Sequence, residues 1–316
     1  MQRVALIYNP ASGQYSARRF AAVQNAVTVF RNAGVSAELL VTNAAGGATE
    51  QALRAVREGY DTILACGGDG TVHEILQSLV GSDVALGVIP LGTANALAVD
   101  LGLTAPPVQA ARALLTALPA RVPVGRIHFR DETGQIRSRY FLVAAGAGED
   151  ALLMSRLDKG LKRRFGYIVY LVEAMRIWAT DTFPLFEAAF TLNGSNTERV
   201  AEVSQLLVVR VRSFGGVLRE LAPGATLHNG SLRLLAFRTR SRLRYLRFLL
   251  AAVAGRQTFS GPIELVDTNH VECRSRNGTS ETIFVEADGE VLGTLPVRIE
   301  VAPQALTLLI PPHADP

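Results

Sequence analysis

The stretch Thr62–Val72 reads TILACGGDGTV. Thr62–Cys66 is a short, continuous apolar run without alternation, the pattern of a strand buried on both faces. Gly67-Gly68-Asp69-Gly70-Thr71 follows at once, and Val72–Val80 has helical spacing. A buried strand that runs through glycines into a helix is part of a βαβ unit. Working outward, Arg3–Tyr8 is another apolar run, followed by the turn Asn9-Pro10-Ala11-Ser12-Gly13. Ser16–Asn32 predicts a helix with Phe20, Val23, Val27 and Phe30 on one stripe. Val35–Val41 reads as a strand, and Gly47–Glu58 as a helix with Ala48, Leu53, Ala55 and Val56 inward. Val84–Ile89 is a fourth strand, ending in Pro90-Leu91-Gly92-Thr93, and Ala94–Leu101 begins another helix. This rhythm predicts an α/β domain with a parallel sheet covered on both faces.

The rhythm changes after Pro119–Pro123. Strands lengthen and alternate, and Asp131–Gly134 and Asn193-Gly194 are hairpin signals. Two helical segments interrupt them, Phe165–Ala179 and Arg242–Ala254. The expected division is an α/β domain over residues 1–122 and a mainly antiparallel domain over 123–301. The pattern leaves open whether 302–316, with the strand Leu306–Ile310, packs back on the first domain.

The 316 residues carry 32 basic and 28 acidic side chains, a net charge of +4. Only Lys159 and Lys162 are lysines, so residues 1–158 contain none. That excludes a Walker-A loop and the strand lysine of protein kinases. The charge is spread thinly and aromatics are 7%, so no nucleic-acid partner is expected. Cys66 and Cys273 make neither a disulfide framework nor a thiolate metal site. MQRVALIYNP is too short an apolar run for a secretory signal and reads as the first strand. No run of 18 apolar residues predicts a membrane span. A cytoplasmic setting is consistent with these features.

In an open parallel sheet, ligands bind beyond the carboxyl ends of the strands. Three strands end there in polar, glycine-containing turns: Asn9–Gly13, Gly67–Thr71 and Pro90–Asn95. Gly67, Gly68 and Gly70 allow positive φ and close backbone approach. The helix beginning near Thr71 offers unpaired N–H groups, so an anion site needs no lysine. Thr71 and Thr93 add hydroxyl donors. Asp69 would repel phosphate, so its expected role is to hold Mg2+ or ordered water beside it.

These motifs together resemble one family. Asn9-Pro10-x-Ser12-Gly13, Gly67-Gly68-Asp69-Gly70-Thr71 with Glu74, and Pro90-x-Gly92-Thr93-x-Asn95 are similar to the diacylglycerol kinase catalytic domain of bacterial lipid kinases and sphingosine kinases. Ala287-Asp288-Gly289-Glu290, with Val297–Val301 and Pro303-x-Ala305-Leu306, is similar to that family's closing motif. The resemblance implies a nucleotide-binding α/β domain of NAD-kinase type, a C-terminal β-sandwich and an active site in the cleft between them. It implies transfer of the γ-phosphoryl of ATP, with Mg2+, to a lipid hydroxyl. On that basis Gly67–Thr71 would cradle the phosphates. Asn9, Ser12, Thr42 and Thr93 would line the nucleotide pocket, with Glu74, Gly92 and Asn95 in the same motifs. Asp288 would take the lipid hydroxyl proton, and Glu290 would assist it or the metal.

The chain departs from the family twice. Ala96 stands where many bacterial members have an aspartate after the asparagine. Some bacterial members hold a structural Mg2+ at an Asp-Asp-Gly turn; the matching Leu227-His228-Asn229-Gly230 has no carboxylate, so that metal is not expected. His73, His128, His270 and His313 show no metal-ligand spacing. Two segments could dock a lipid surface peripherally: Leu161–Phe165, and the helix with Arg242, Arg244, Arg247, Leu243, Tyr245, Leu246 and Phe248. A homodimer is among the assemblies left open. The competing readings are an NAD kinase, which shares the Gly-Gly-Asp-Gly loop, and a nucleotide-binding protein without catalysis.

Overall fold

The computed structural model describes residues 1–10, 17–44, 46–131, 133–157, 167–193, 197–214, 220–259, 261–276 and 281–312. Ser12 and Gly13, Lys159, the Leu161–Phe165 segment with Lys162, Gly194 and His313 lie outside them. The chain divides into two compact units, Met1–Val124 with Pro303–Pro316, and Gly125–Ala302.

The first unit begins with β1 (Arg3–Tyr8), α1 (Ala17–Asn32), β2 (Ser36–Val41), α2 (Gly47–Arg57), β3 (Thr62–Gly67), α3 (Asp69–Leu79), β4 (Ala85–Pro90), α4 (Ala96–Asp100) and α5 (Pro107–Leu115). Strands β1 to β4 run parallel in the order β2-β1-β3-β4: β2 pairs β1, β1 pairs β3, and β3 pairs β4. The last part of β15 (Glu290–Ile310) returns beside β4, with Thr307 and Leu308 opposite Ala85 and Leu86. Every residue of β3 is buried, as a parallel sheet with helices on both faces requires.

Helix faces follow their spacing with one correction. In α1, Val23, Ala26, Val27 and Phe30 are buried. In α2 the buried stripe is Ala48, Ala52 and Ala55, while Leu53 is exposed. Residues 48, 52 and 55 fall on one face at i, i+4 and i+7, and position 53 turns away from it. The sequence reading also missed α5 and the helix α6 (Glu149–Arg156).

The second unit takes in β5 (Leu118–Arg130, which begins in the first), β6 (Ile136–Phe141), β7 (Ala144–Gly148), α6, α7 (Tyr167–Thr180) and β8 (Phe186–Thr191). Then follow β9 (Glu198–Val203), β10 (Gln205–Val209), β11 (Leu232–Phe237), α8 (Arg242–Val253), β12 (Ile263–Thr268), β13 (His270–Ser275), β14 (Phe284–Ala287) and the first part of β15. Its pairings are antiparallel, in the order β12-β11-β10-β7-β14-β15. β9-β8-β13 and β6-β5 also join through β15. Inward side chains such as Phe141, Phe186, Phe190, Leu206, Val208, Leu234 and Val285 form its core. This is the mainly antiparallel second domain that the sequence pattern predicts, and the β-sandwich that the family resemblance implies. No helix among the described residues is long and apolar enough to cross a membrane.

Close packing fixes one glycine here. A Cβ at Gly125 would fall inside the ring of Phe141, which is fully buried. Gly125→Ala is expected to destabilise the second unit by roughly 1–3 kcal/mol through overpacking. A lowered Tm at unchanged secondary structure would register it, and an unaltered Tm would show that Phe141 gives way freely.

Candidate active site

In the first unit, two strand-end turns are locked to each other through the backbone. Leu91 N–H donates to Gly67 O at 2.8 Å. A Cβ on Gly92 would stand 2.6 Å from Gly68 Cα, and one on Gly67 would overlap the Thr71 side chain. None of Gly67, Gly68 and Gly70 has positive φ. The expected reason for these glycines is therefore corrected: close approach selects Gly67 and Gly68, and left-handed backbone does not. The helix also starts earlier than the apolar spacing suggests. Asp69, Gly70 and Thr71 form the first turn of α3, with Thr71 N–H bonded to Gly68 O at 3.0 Å. Aspartate suits that first turn because it faces the positive end of the helix dipole.

Asp69 also ties α3 to α4. The N–H groups of Asn95 and Ala96 donate to its carboxylate at 2.9 and 2.7 Å. Asn95 sits at φ 52, a left-handed conformation that asparagine tolerates. Its side chain and the Gly92 backbone bond reciprocally, at 2.9 Å from Gly92 N–H and 3.0 Å to Gly92 O. Asp69, Gly92 and Asn95 thus form one rigid constellation, and Ala96 serves it through its backbone. Asn9 joins it by donating from Nδ2 to Thr71 Oγ1 at 3.3 Å. Thr71 is buried and Thr93 is exposed.

Two other predicted residues sit further along. Thr42 is buried past the end of β2, and its N–H donates to Tyr8 O at 2.9 Å. Glu74 turns to α2: Gly46 and Ala48 N–H donate to its two oxygens at 3.3 and 3.1 Å. That geometry makes Glu74 a cap for α2, whose first N–H groups lack helical partners. Sequence reasoning missed Arg18 and Arg19. They line a cavity of about 410 Å3 with Ala22, Pro90, Leu91, Gly92 and Pro107. Cationic side chains therefore do stand beside the Gly92 turn, supplied by α1 as arginines.

In the second unit, Asp288 and Gly289 have φ 50 and φ 80 and join β14 to β15 in a two-residue hairpin turn. Both positions being left-handed is the requirement of a type I′ turn, which favours Asp-Gly. The Asp288 carboxylate accepts the N–H groups of Leu142, Val143 and Ala144 at 3.1, 2.8 and 3.2 Å. Its own N–H donates to Ala144 O at 2.8 Å. The side chain is thus aimed by a strand end that lies more than 140 residues away in sequence. Glu290 follows as the first residue of β15.

Three further carboxyl groups in this unit escaped the sequence reading. Glu286 is buried and accepts Gly289 N–H at 2.8 Å. Burial, and then the charge of Asp150, hold it well above the usual carboxyl range. Burial raises Asp150 to about 6. Glu149, 8% exposed, is pushed up to about 7 by burial, with Asp181 adding to the shift and Arg156 opposing it. Glu149 also lines a cavity of about 270 Å3 with Arg156, Asp181 and Glu281 among its walls.

The fold and site define a class, an NAD-kinase-type α/β domain carrying backbone-built turns together with a β-sandwich domain. Residues 3–127 match the diacylglycerol kinase catalytic domain, and residues 143–310 match the YegS C-terminal NAD kinase beta sandwich-like domain. The chain belongs to the diacylglycerol kinase catalytic-domain family. It is 31% identical over 314 residues to a diacylglycerol kinase of Mycobacterium tuberculosis, covering 98% of this chain and 96% of that protein. It is 28% identical over 299 residues to one of Bacillus subtilis, covering 94% and 92%. A diacylglycerol kinase crystal structure from Bacillus anthracis superposes with a TM-score of 0.71 at 20% identity, over 99% of this chain and 98% of that one.

The raised carboxyl groups give the protein a pH dependence. Glu149 ionises near its usual 4.5 when unfolded and near 7 when folded. The folded state therefore binds more protons across that window, and stability falls as pH rises through it. Glu149→Gln should remove on the order of 2–3 kcal/mol of that loss. Tm measured from pH 4.5 to 8 should decline less in the variant, and parallel declines would show that Glu149 titrates normally.

Proposed function

We propose that this protein is an ATP-dependent lipid kinase that transfers the γ-phosphoryl group to a lipid hydroxyl, on diacylglycerol or a sphingoid base. The names of its relatives support a lipid kinase. The observation that carries the reading is the backbone cradle at Gly67, Gly68 and Gly92, where an added Cβ would meet its neighbours. Such a surface suits phosphate oxygens, which need N–H donors and no intervening side chain. The start of α3 adds its dipole, and Arg18 and Arg19 add charge at the adjoining cavity.

Mg2+ bound with the nucleotide would offset phosphate charge. Asp69 would hold it, its carboxylate being fixed in place by the Asn95 and Ala96 N–H groups. Asn9, Ser12, Thr42 and Thr93 would line the nucleotide. Asp288 would take the proton of the acceptor hydroxyl, since three backbone N–H groups fix its orientation. Glu290 would assist it.

Access to the lipid would come through α8. Leu243, Arg244, Arg247, Leu250 and Val253 are exposed on it, and the helix contains no acidic residue. Its other face is occupied. Tyr245, Phe248 and Ala252 are buried, and Tyr245 stacks on Phe237 at 4.7 Å. Tyr245 and Phe248 therefore drop out of the docking face expected from sequence. Arg242 is also engaged, donating to the Ala179 and Asp181 carbonyls at 2.7 and 2.8 Å. Arg244→Glu with Arg247→Glu should weaken binding to anionic liposomes in cosedimentation by roughly 30-fold, at ~1 kcal/mol per basic residue. Binding unaffected by the substitutions or by salt would place the docking surface elsewhere.

The activity test offers γ-labelled ATP and Mg2+ with diacylglycerol, sphingosine, phosphatidylglycerol or NAD. Label in a lipid is expected, and label in NAD alone would overturn the reading. Asp288→Asn should lower kcat by roughly 10²–10⁴-fold with little change in the KM for ATP. A near wild-type rate would remove Asp288 as the base.

A further inference from the structure

Among the described residues Arg210 is the largest fully buried side chain, 1% exposed, just past the end of β10. Its guanidinium donates to three backbone carbonyls of one turn. Nη2 bonds Leu227 O at 3.2 Å and Asn229 O at 3.3 Å, and Nη1 bonds Ser231 O at 3.4 Å. These bonds are long, but they converge. Three carbonyl dipoles of a five-residue turn point at one delocalised cation, much as they would at a metal ion. Arg210 is also joined to the Asp288 support. Its N–H donates to Val143 O at 2.9 Å, while Val143 N–H donates to Asp288 at 2.8 Å.

We propose that the Arg210 guanidinium is a resident cation of the second unit that orders the Leu227–Ser231 turn and, through the Val143 backbone, helps to position Asp288, so that this turn needs no metal. This rests on the reading of Asp288 as the base, and Arg210 is then a positioning residue for it. The donor chemistry supports it. The turn supplies carbonyls and no carboxylate, and Asn229 Nδ2 is spent on Gly224 O at 3.2 Å. A divalent ion prefers anionic oxygen, so the residues present do not fit the metal expected at this turn in some bacterial members. A guanidinium is held by neutral carbonyls instead, being planar, delocalised and weakly hydrated. Burial lowers Arg210 to about 10, and the Asp288 charge opposes that shift. It therefore stays charged at neutral pH. The three turn carbonyls offset part of the cost of burying the cation, which would be high if it were left alone.

The test has two arms, and the first needs no activity. Wild-type Tm without nucleotide is measured with EDTA or with Mg2+, and hydrogen exchange is followed at the amides of residues 227–231. Tm should shift by less than about 1 °C, and Arg210→Met should speed exchange in the turn at least ten-fold. A Mg2+-induced rise in Tm that Asn229→Ala abolishes would place a metal in the turn and overturn the proposal. The second arm measures lipid phosphorylation. Arg210→Met should lower kcat roughly 10- to 100-fold at unchanged KM for ATP, as slight misplacement of a reacting group does. Arg210→Lys, which keeps the charge, should recover part of the loss. Methionine and wild-type proteins with equal kcat and equal turn protection would overturn it. If Arg210→Met does not fold, the lysine variant and the wild-type Mg2+ arm still decide. If wild type phosphorylates no lipid, the kinase reading fails while the first arm still judges the role of Arg210.

Discussion

The contact of Gly68 against Gly92, with Asp69 bonded to the N–H groups of Asn95 and Ala96, is the constraint on which the first unit's site depends. It joins the ends of β3 and β4, the two strands whose turns carry the predicted phosphate contacts. A backbone-to-backbone approach this close admits no side chain, so both positions must be glycine. The carboxylate of Asp69 then does two things at once. It caps a short helix whose first N–H groups would otherwise lack partners. In the proposed reading it would also supply the hard anionic oxygen that a phosphate-bound metal favours.

This arrangement explains how a phosphate-handling enzyme could dispense with lysine in its N-terminal half. Strand-end N–H groups and a helix dipole are fixed by the fold and cost no side-chain entropy when a ligand arrives. Charge is added from the flank, by Arg18 and Arg19 on α1. Arginine suits that position because its planar fork matches phosphate.

The second unit works by a balance of buried charges. Asp288 is held by three N–H groups and faces a buried guanidinium through the backbone of Val143. Burial, and then the charge of Asp150, raise Glu286 strongly. The unit thus carries one carboxylate fixed by three N–H donors and another carboxyl group raised by burial.

The chain's own pattern was enough to determine the parallel α/β unit, the antiparallel second unit and the order of the three polar turns. Those depend on local periodicity and on glycines in unbroken succession, which sequence records directly. It also singled out Asp69, Asp288 and Asn95 as candidates, because each sits in a short motif. It misjudged why Gly67 and Gly68 are needed, and it put Leu53, Tyr245 and Phe248 on the wrong faces. It gave no hint of Arg210, Glu286, Glu149 or the cap formed by Glu74. Only the tertiary structure decided these, for one physical reason. Burial, charge and steric contact act through space, between residues such as 143, 210, 229 and 288 that are brought together only when the sheet closes. A linear sequence specifies which groups exist, and the fold sets which of them share a dielectric and a partner.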